Sequence, residues 1–421
     1  MKILFLAHRI PYPPNKGEKI RGYHVIGALA ERHEVSLVCW VDDVRELKDL
    51  TLLKKLCRLG VWPFKLNGIA AIARGLGAVL AGKSFSEGYF FSPLVERAVD
   101  QRIQEDQYDL IYVCSSPMAQ YVSHHSSIPT LVDFVDVDSE KWGEFSRYKP
   151  FPISKLMRLE QLRLSRYELA VSQWARCSVF VSPVEAELFK SMGAKGTIVH
   201  MGNGVDSKLR KAPLARTGHR VFGASATEVR AAKLIFTGTM SYFPNADAVL
   251  YFTREIFPLI RKDCPGVTFD VVGRHPTRAV RRLNRIGGVR VVGEVKDVRP
   301  FLVQADISVA PFRIARGLQN KILEAMAAGI PVVATSKATA GLLVKSEEEI
   351  LVGDTPEEFA RQVVRLIQDR ALYERIAKKA RSRVLESYDW KTVGSQLQMI
   401  TQRFSSKTPE TDPGPEKRSS L

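Results

Sequence analysis

The 421-residue chain is 45% hydrophobic and 25% charged, which suits two domains of about 200 residues and excludes a disordered chain. Its formal net charge of +17 suits nucleic acid, anionic lipid or phosphorylated small molecules, and the absence of a helix-turn-helix, zinc-finger or aromatic-rich strand-binding pattern argues against nucleic acid. Five widely spaced cysteines without a C-x-x-C exclude a disulfide framework and a cysteine zinc site, and they fit a cytoplasmic protein.

In the first half, Lys2–Arg9, Glu34–Asp42, Leu110–Ser116, Leu131–Asp136 and Ser178–Val184 are apolar, β-branched runs separated by helix-like segments. This alternation predicts a parallel sheet built from βαβ units. The run at Met1–Arg9 is too short for a signal peptide, and no uninterrupted apolar run reaches about 18 residues, so neither export by that route nor a membrane span is expected. After the first strand, R-I-P-Y-P-P-N-K-G-E places Gly17 near a helix start. That loop of a doubly wound sheet faces phosphate, and glycine leaves room for its approach.

Residues Lys54 to Lys83 contain six basic and no acidic residues, interspersed with leucines, Trp62, Phe64 and an alanine-rich stretch. Such a composition suits the boundary of an anionic membrane, the alternative being that Ile69, Ile72, Leu76 and Leu80 form the buried stripe of an ordinary helix. Further on, Ser115 and Ser116 end one strand and face the cleft as acceptor-side candidates. T-L-V-D-F-V-D-V-D-S-E ends the next with Asp136 and Asp138. Asp136-Val137-Asp138 imitates a metal-holding D-x-D, but it lies outside the half that carries most of the basic excess; capping of the following turn and a catalytic role are equally open readings. Asn203-Gly204 is a turn signal, and the boundary between domains 1–205 and 206–387 is placed there.

The second half carries 36 basic against 23 acidic residues, the first 26 against 22, so the anion-binding function is expected mainly there. After a polar loop at 208–230, strands are expected near Lys233–Gly238, Val267–Gly273, Val289–Val295, Ile307–Ala310 and Pro331–Thr335. T-G-T-M-S-Y-F-P-N puts Gly238, Thr239 and Asn245 between a strand and a helix start, a place for a diphosphate. V-V-G-R-H-P puts Arg274 at the next strand end, where a guanidinium holds two phosphate oxygens. The stretch R-I-A-R-G-L-Q-N-K-I-L-E-A-M-A-A-G-I-P-V-V-A-T-S, from Arg313 to Ser336, reads as loop, helix from Asn320, glycine stop and strand. Its loop, Arg316, Gly317, Leu318 and Gln319, lies at a strand's carboxyl end and a helix's amino end. One turn on, Lys321 and Glu324 share a helix face, pairing a cation with an acceptor for hydroxyls; an ordinary crossover with a solvated pair is the alternative. Beyond amphipathic helices from Pro356 to Ser387 and a last helix at 388–404, residues 405–421 are polar, proline-rich and expected to be disordered.

G-L-Q-N-K-I-L-E-A-M-A-A-G-I-P-V-V-A-T resembles the signature of retaining glycosyltransferase family 4, and the similarity runs to about Phe404. It looks closest to the sugar transferases associated with exosortase-linked exopolysaccharide loci. The resemblance implies an α/β protein of GT-B fold, two Rossmann-like domains with parallel sheets facing across a cleft, and a last helix crossing back onto the first domain. It implies transfer of a sugar from a nucleotide-diphospho-sugar with retention, without metal or cofactor. By it, Glu324 binds the ribose, Arg274 and Lys321 neutralise the leaving diphosphate, Gly17 approaches the phosphate, and Val295 offers its backbone to the nucleobase. Asp136 falls at an aspartate facing the reacting sugar, with Val135 where the family has histidine. Arg316 stands where the family has a sugar-contacting glutamate, so an anionic sugar or acceptor group is expected there. The expected partners are a nucleotide-sugar, a polyprenyl-linked or growing glycan acceptor and the cytoplasmic face of an anionic membrane. The rivals are a non-catalytic sugar-nucleotide-binding or scaffolding subunit and an epimerase or phosphorylase on the same fold.

Overall fold

The computed structural model describes residues 1–205, 209 and 231–404. The expected loop at 208–230, apart from Leu209, and the tail at 405–421 lie outside these residues. Two wholly parallel sheets organise the chain. The first has seven strands in the order β3-β2-β1-β4-β5-β6-β7, comprising β1 Lys2–Ala7, β2 Glu34–Val41, β3 Gly60–Lys65, β4 Leu110–Cys114, β5 Thr130–Val135, β6 Cys177–Phe180 and β7 Thr197–His200. The second has six in the order β10-β9-β8-β11-β12-β13, comprising β8 Lys233–Thr237, β9 Thr268–Val272, β10 Val289–Gly293, β11 Ile307–Ala310, β12 Val332–Ala334 and β13 Leu351–Val352. The central strands read as continuous apolar runs because helices cover both faces of a parallel sheet. In β1, for example, Phe5 lies opposite Leu37 of β2 and Tyr112 of β4, stacking on the Tyr112 ring at 4.9 Å.

Three strands fall outside the runs singled out in the sequence, β3, β7 and β13, and each lies at the edge of its sheet. Pro63 hides β3, since proline weakens a strand pattern yet is tolerated at an edge. Lys54–Lys83 is therefore divided between this strand and the helix Gly68–Leu80. The helix does not bury its apolar stripe: Ile69, Ile72, Leu76 and Leu80 are 85%, 50%, 56% and 90% exposed. Trp62, by contrast, is covered by Arg102, whose guanidinium carbon lies 5.0 Å from the ring, and Phe64 packs edge-on against Trp40. No helix among the described residues is long and apolar enough to cross a membrane.

The last helix, Trp390–Gln402, packs on the first-domain helix Gly17–Ala30, with Trp390 stacked on His24 at 4.2 Å and Val393 and Leu397 in the first domain's core. Beside it, the Val205 amide donates to the Tyr388 carbonyl at 2.9 Å. The chain thus crosses between the sheets twice at neighbouring points.

Candidate active site

Each sheet reverses its strand order once among these elements, between β1 and β4 in the first and between β8 and β11 in the second. The loops leaving the carboxyl ends of such strands diverge and open a crevice, which is where ligands bind in α/β sheets. Gly17, Ser115, Gly238, Thr239, Arg316 and Gly317 all lie on loops or helix starts that follow these four strands.

On the second-domain side, backbone turns replace side chains. Gly238 and Gly273 have φ of 153° and 152°, in a region that favours glycine. A Cβ on Gly273 would collide with the Gly238 carbonyl, and one on Gly238 would lie 2.8 Å from Asn245 Nδ2 and 3.1 Å from Lys321 Nζ. Asn245, near the start of the helix Phe243–Tyr251, donates from Nδ2 to the Thr239 carbonyl at 2.9 Å and accepts from Lys321 Nζ at 2.5 Å. Lys321 in turn sits over the rings of Phe236 and Phe312, at 4.7 and 4.5 Å. Burial lowers its pKa to about 7, against the opposing field of Glu324, because a desolvated ammonium favours its neutral form. Arg274 donates from Nε to Thr239 Oγ1 at 3.4 Å and from Nη2 across the cleft to the Asn15 carbonyl at 3.2 Å.

The first domain supplies a second helix start to the same place. A Cβ on Gly17, the first residue of Gly17–Ala30, would lie 3.5 Å from the side chain of Asn320, the first residue of Asn320–Ala327. Two helix N-termini, each with a positive dipole end, therefore meet beside Arg274 and Lys321. Lys16, which the sequence reading passed over, adds a further cation: its pKa is lowered by burial and then by the fields of Arg9 and Arg274. Its position immediately before Gly17 was the available signal. An anion that bridges the N-termini would satisfy all of these groups at once.

Beside Arg274, a recess of about 490 Å³ is lined by His275, Pro276, Arg281, Asn284, Val291, Val292, Gly293 and Glu294. Val295 is not among these lining residues; it packs partly buried against the second-domain core. The signal missed here was the convergence of the β9 and β10 loops, which only the sheet order creates.

The first-domain wall differs in sign and in strain. Ser115 and Val135, at the ends of β4 and β5, have φ of 78° and 70°, costly conformations for residues with a Cβ, most of all for a β-branched one. Asp136 follows, its side chain 19% exposed and its Oδ1 buried without a hydrogen-bond partner. Burial raises its pKa to about 7, Lys141 opposing and Glu185 and Asp138 adding to the shift. The room left by Gly317, whose φ is 61°, is filled by this carboxylate: a Cβ there would strike Asp136 Oδ1. The facing aspartate thus requires a glycine at this position. Ser116 is corrected as well. It is 1% exposed and its carbonyl accepts from Tyr167 Oη at 2.8 Å, so it lies beneath the cleft floor.

Arg316 projects into this wall and meets Glu144, Glu140 and Glu185 at 3.4, 3.6 and 3.9 Å. Its guanidinium is matched by first-domain carboxylates, while Leu318 and Gln319 continue the loop and Gln319 Nε2 donates to the Arg316 carbonyl at 3.0 Å. Nearby, Phe145 faces Tyr242 and Phe243 edge-on, and Tyr148 Oη donates to the Arg313 carbonyl at 3.3 Å. Behind the walls, buried Arg21 binds Asp133 through Nε and Nη2 at 2.8 and 3.0 Å and Asn203 Oδ1 at 2.9 Å; Asn203 donates to Asn320 Oδ1 at 3.2 Å. This chain of contacts fixes the domain crossing against the helix that carries Lys321 and Glu324.

Residues 231–369 match the family model described as Glycosyl transferases group 1. Over 277 residues the chain is 26% identical to a glycogen synthase of Mycobacterium tuberculosis, covering 60% of each protein. It is also 32% identical over 142 residues to a phosphatidyl-myo-inositol mannosyltransferase of Propionibacterium freudenreichii, covering 33% of this chain and 36% of that protein. The chain thus spans about three fifths or less of the length of these relatives. Across 96% of this chain and the whole of the other, the structure superposes on Anabaena Alr3699/HepE in complex with UDP and glucose, with a TM-score of 0.68 at 18% identity. The architecture is that of the GT-B glycosyltransferases, two Rossmann-like parallel-sheet domains facing one another.

Proposed function

We propose that the protein is a glycosyltransferase that moves a sugar from a nucleotide-diphospho-sugar to an acceptor hydroxyl with retention, in the synthesis of an exopolysaccharide or related glycan. The carrying observation is the meeting of two helix N-termini with Lys16, Arg274 and Lys321 beside an open recess of about 490 Å³. The diphosphate would lie across the N-termini, the nucleoside toward His275 and Glu294, and the ribose hydroxyls against Glu324. The bond between anomeric carbon and phosphate oxygen breaks, the acceptor oxygen bonds the same face of that carbon, and its proton passes to the departing phosphate oxygen. Fixed cations and amides stabilise the charge that develops on the diphosphate, the largest contribution such a site offers, and no metal is required. Support for the donor class also comes from Alr3699/HepE, whose structures include complexes with UDP and with UDP-glucose.

A panel of nucleotide-sugars tested by thermal stabilisation, followed by nucleoside-diphosphate release with acceptor, tests this reading. A donor at about 100 times its Kd stabilises by about 2.7 kcal/mol; no shift with any member of the panel overturns the donor site. The ion pairs of Arg316 and the Asp136–Gly317 contact favour a second reading, a sugar-nucleotide-binding subunit without turnover, and donor binding without product in any acceptor assay selects it.

The exposed stripe Ile69, Ile72, Leu76 and Leu80, in a segment without acidic residues and with exposed Lys54, Lys55, Lys65 and Lys83, supports peripheral attachment to the cytoplasmic leaflet. A polyprenyl-linked acceptor would be met there. Basic residues near an anionic surface contribute about 1 kcal/mol each, with the aliphatic stripe, not Trp62, as the apolar contact. Salt-sensitive co-sedimentation with anionic liposomes is expected, and equal binding to neutral vesicles overturns the electrostatic part.

A further inference from the structure

Outside the cleft, helix Pro93–Asp106 faces the turn that leads from Tyr121 into β5, and three side chains converge between them. His124 Nε2 and His125 Nε2 lie 3.0 and 2.7 Å from the same oxygen, Asp100 Oδ1, and all three donor atoms fall within 4.8 Å of one another. Neighbouring residues of an extended chain point to opposite sides. The turn closed by the His125 amide on the Val122 carbonyl, at 3.0 Å, instead brings both imidazoles to one side with ring centroids 4.2 Å apart.

We infer that Asp100, His124 and His125 form a binding site for a borderline transition-metal cation, Zn²⁺ foremost, separate from the nucleotide cleft. Two imidazole nitrogens and one carboxylate oxygen are the ligand types zinc prefers, and they disfavour the all-oxygen cations Ca²⁺ and Mg²⁺. Ligands at zinc bond lengths in a tetrahedron lie about 3.3 Å apart, so the two nitrogen–oxygen separations of 3.0 and 2.7 Å need to open by well under about 1 Å to admit the ion. A hydrogen-bonded arrangement requires both rings to hold their proton at Nε2 and to crowd them on one oxygen. A metal takes the place of both protons. The fourth position stays open to water, since His124, Asp100 and His125 have side chains 48%, 33% and 18% exposed. The ion would tie helix Pro93–Asp106 to the connection entering β5, the strand that ends at Val135 and Asp136, so it acts on the rigidity of the first-domain wall and takes no part in the transfer.

The full chain, stripped with chelator and titrated with zinc chloride by calorimetry at pH 7.5, is expected to bind one ion with a Kd in the micromolar range or below and to melt several degrees higher. His124→Gln with His125→Gln lowers affinity by about 100-fold. His124→Gln alone, at a half-exposed position, keeps the fold and still loses most of the affinity. Cys264→Ser, which removes the most accessible cysteine, leaves binding unchanged. Absence of zinc binding by the wild type overturns the inference, as does unchanged affinity in the double histidine variant.

Discussion

The two walls of the cleft are built on the same doubly wound scaffold and hold opposite charge. The second-domain wall presents Arg274, Lys321 and glycine turns. The first-domain wall, apart from Lys16 at its helix start, presents Asp136, Glu140, Glu144 and Glu185 beside the strained Ser115 and Val135. Burial acts on both in the same sense, lowering Lys321 and raising Asp136 to about 7 each. Both groups therefore titrate around the same pH, the lysine charged and the aspartate neutral below it and the reverse above it, and an arriving anion shifts them in the same direction, toward protonation.

The severest break of that comparison is Lys321→Met, which removes the buried cation while keeping its shape. Turnover is expected to fall by about 100- to 1000-fold, while stability rises. The folded lysine releases its proton near pH 7 and the unfolded one near pH 10.4, so wild-type stability climbs across that window. The variant's advantage in melting temperature is thus greatest below pH 7 and gone by about pH 10.5.

Donor binding should restore the proton to Lys321. Calorimetry in buffers of different ionisation enthalpy is expected to show uptake approaching about one proton at pH 8 and much less at pH 6, and none attributable to this residue in Lys321→Met.

Glu324→Gln keeps the helix and removes a charged acceptor, so nucleotide-sugar affinity falls by about 10-fold with the melting temperature nearly unchanged. Unchanged affinity would remove the ribose role.

On the opposite wall, Asp136→Asn should stabilise the protein. Between the unfolded carboxyl's ordinary pKa near 4 and the folded value of about 7, the native state holds a proton that the unfolded state has lost, so wild-type stability falls as pH rises. The asparagine variant is expected to melt about 4 °C higher at pH 8 and no higher at pH 4. The smallest effect is that of EDTA, which is expected to leave transfer unchanged; loss of activity restored by manganese would instead favour a metal at Asp136 and Asp138.

The sequence by itself determined the alternation of strand and helix, the parallel sheets and the glycine-bearing loops at the strand ends, because these depend on local periodicity and on glycine or proline at fixed offsets. The placement of Gly238, Asn245, Arg274 and Lys321 at strand ends and helix starts was legible for that reason. The tertiary structure decided what each loop faces. Lys16 gained its place only when two helix N-termini met, Gly317 acquired its constraint from Asp136 of the other domain, and Arg316 found its carboxylates on elements more than 130 positions away. Edge strands such as β3 escaped notice because an edge tolerates proline, and a buried stripe remained an alternative for Gly68–Leu80 because periodicity records which residues share a side and not what covers it. Burial and long-range charge, which set the protonation of Lys321 and Asp136, arise from packing between segments distant in the chain, and no local pattern encodes them.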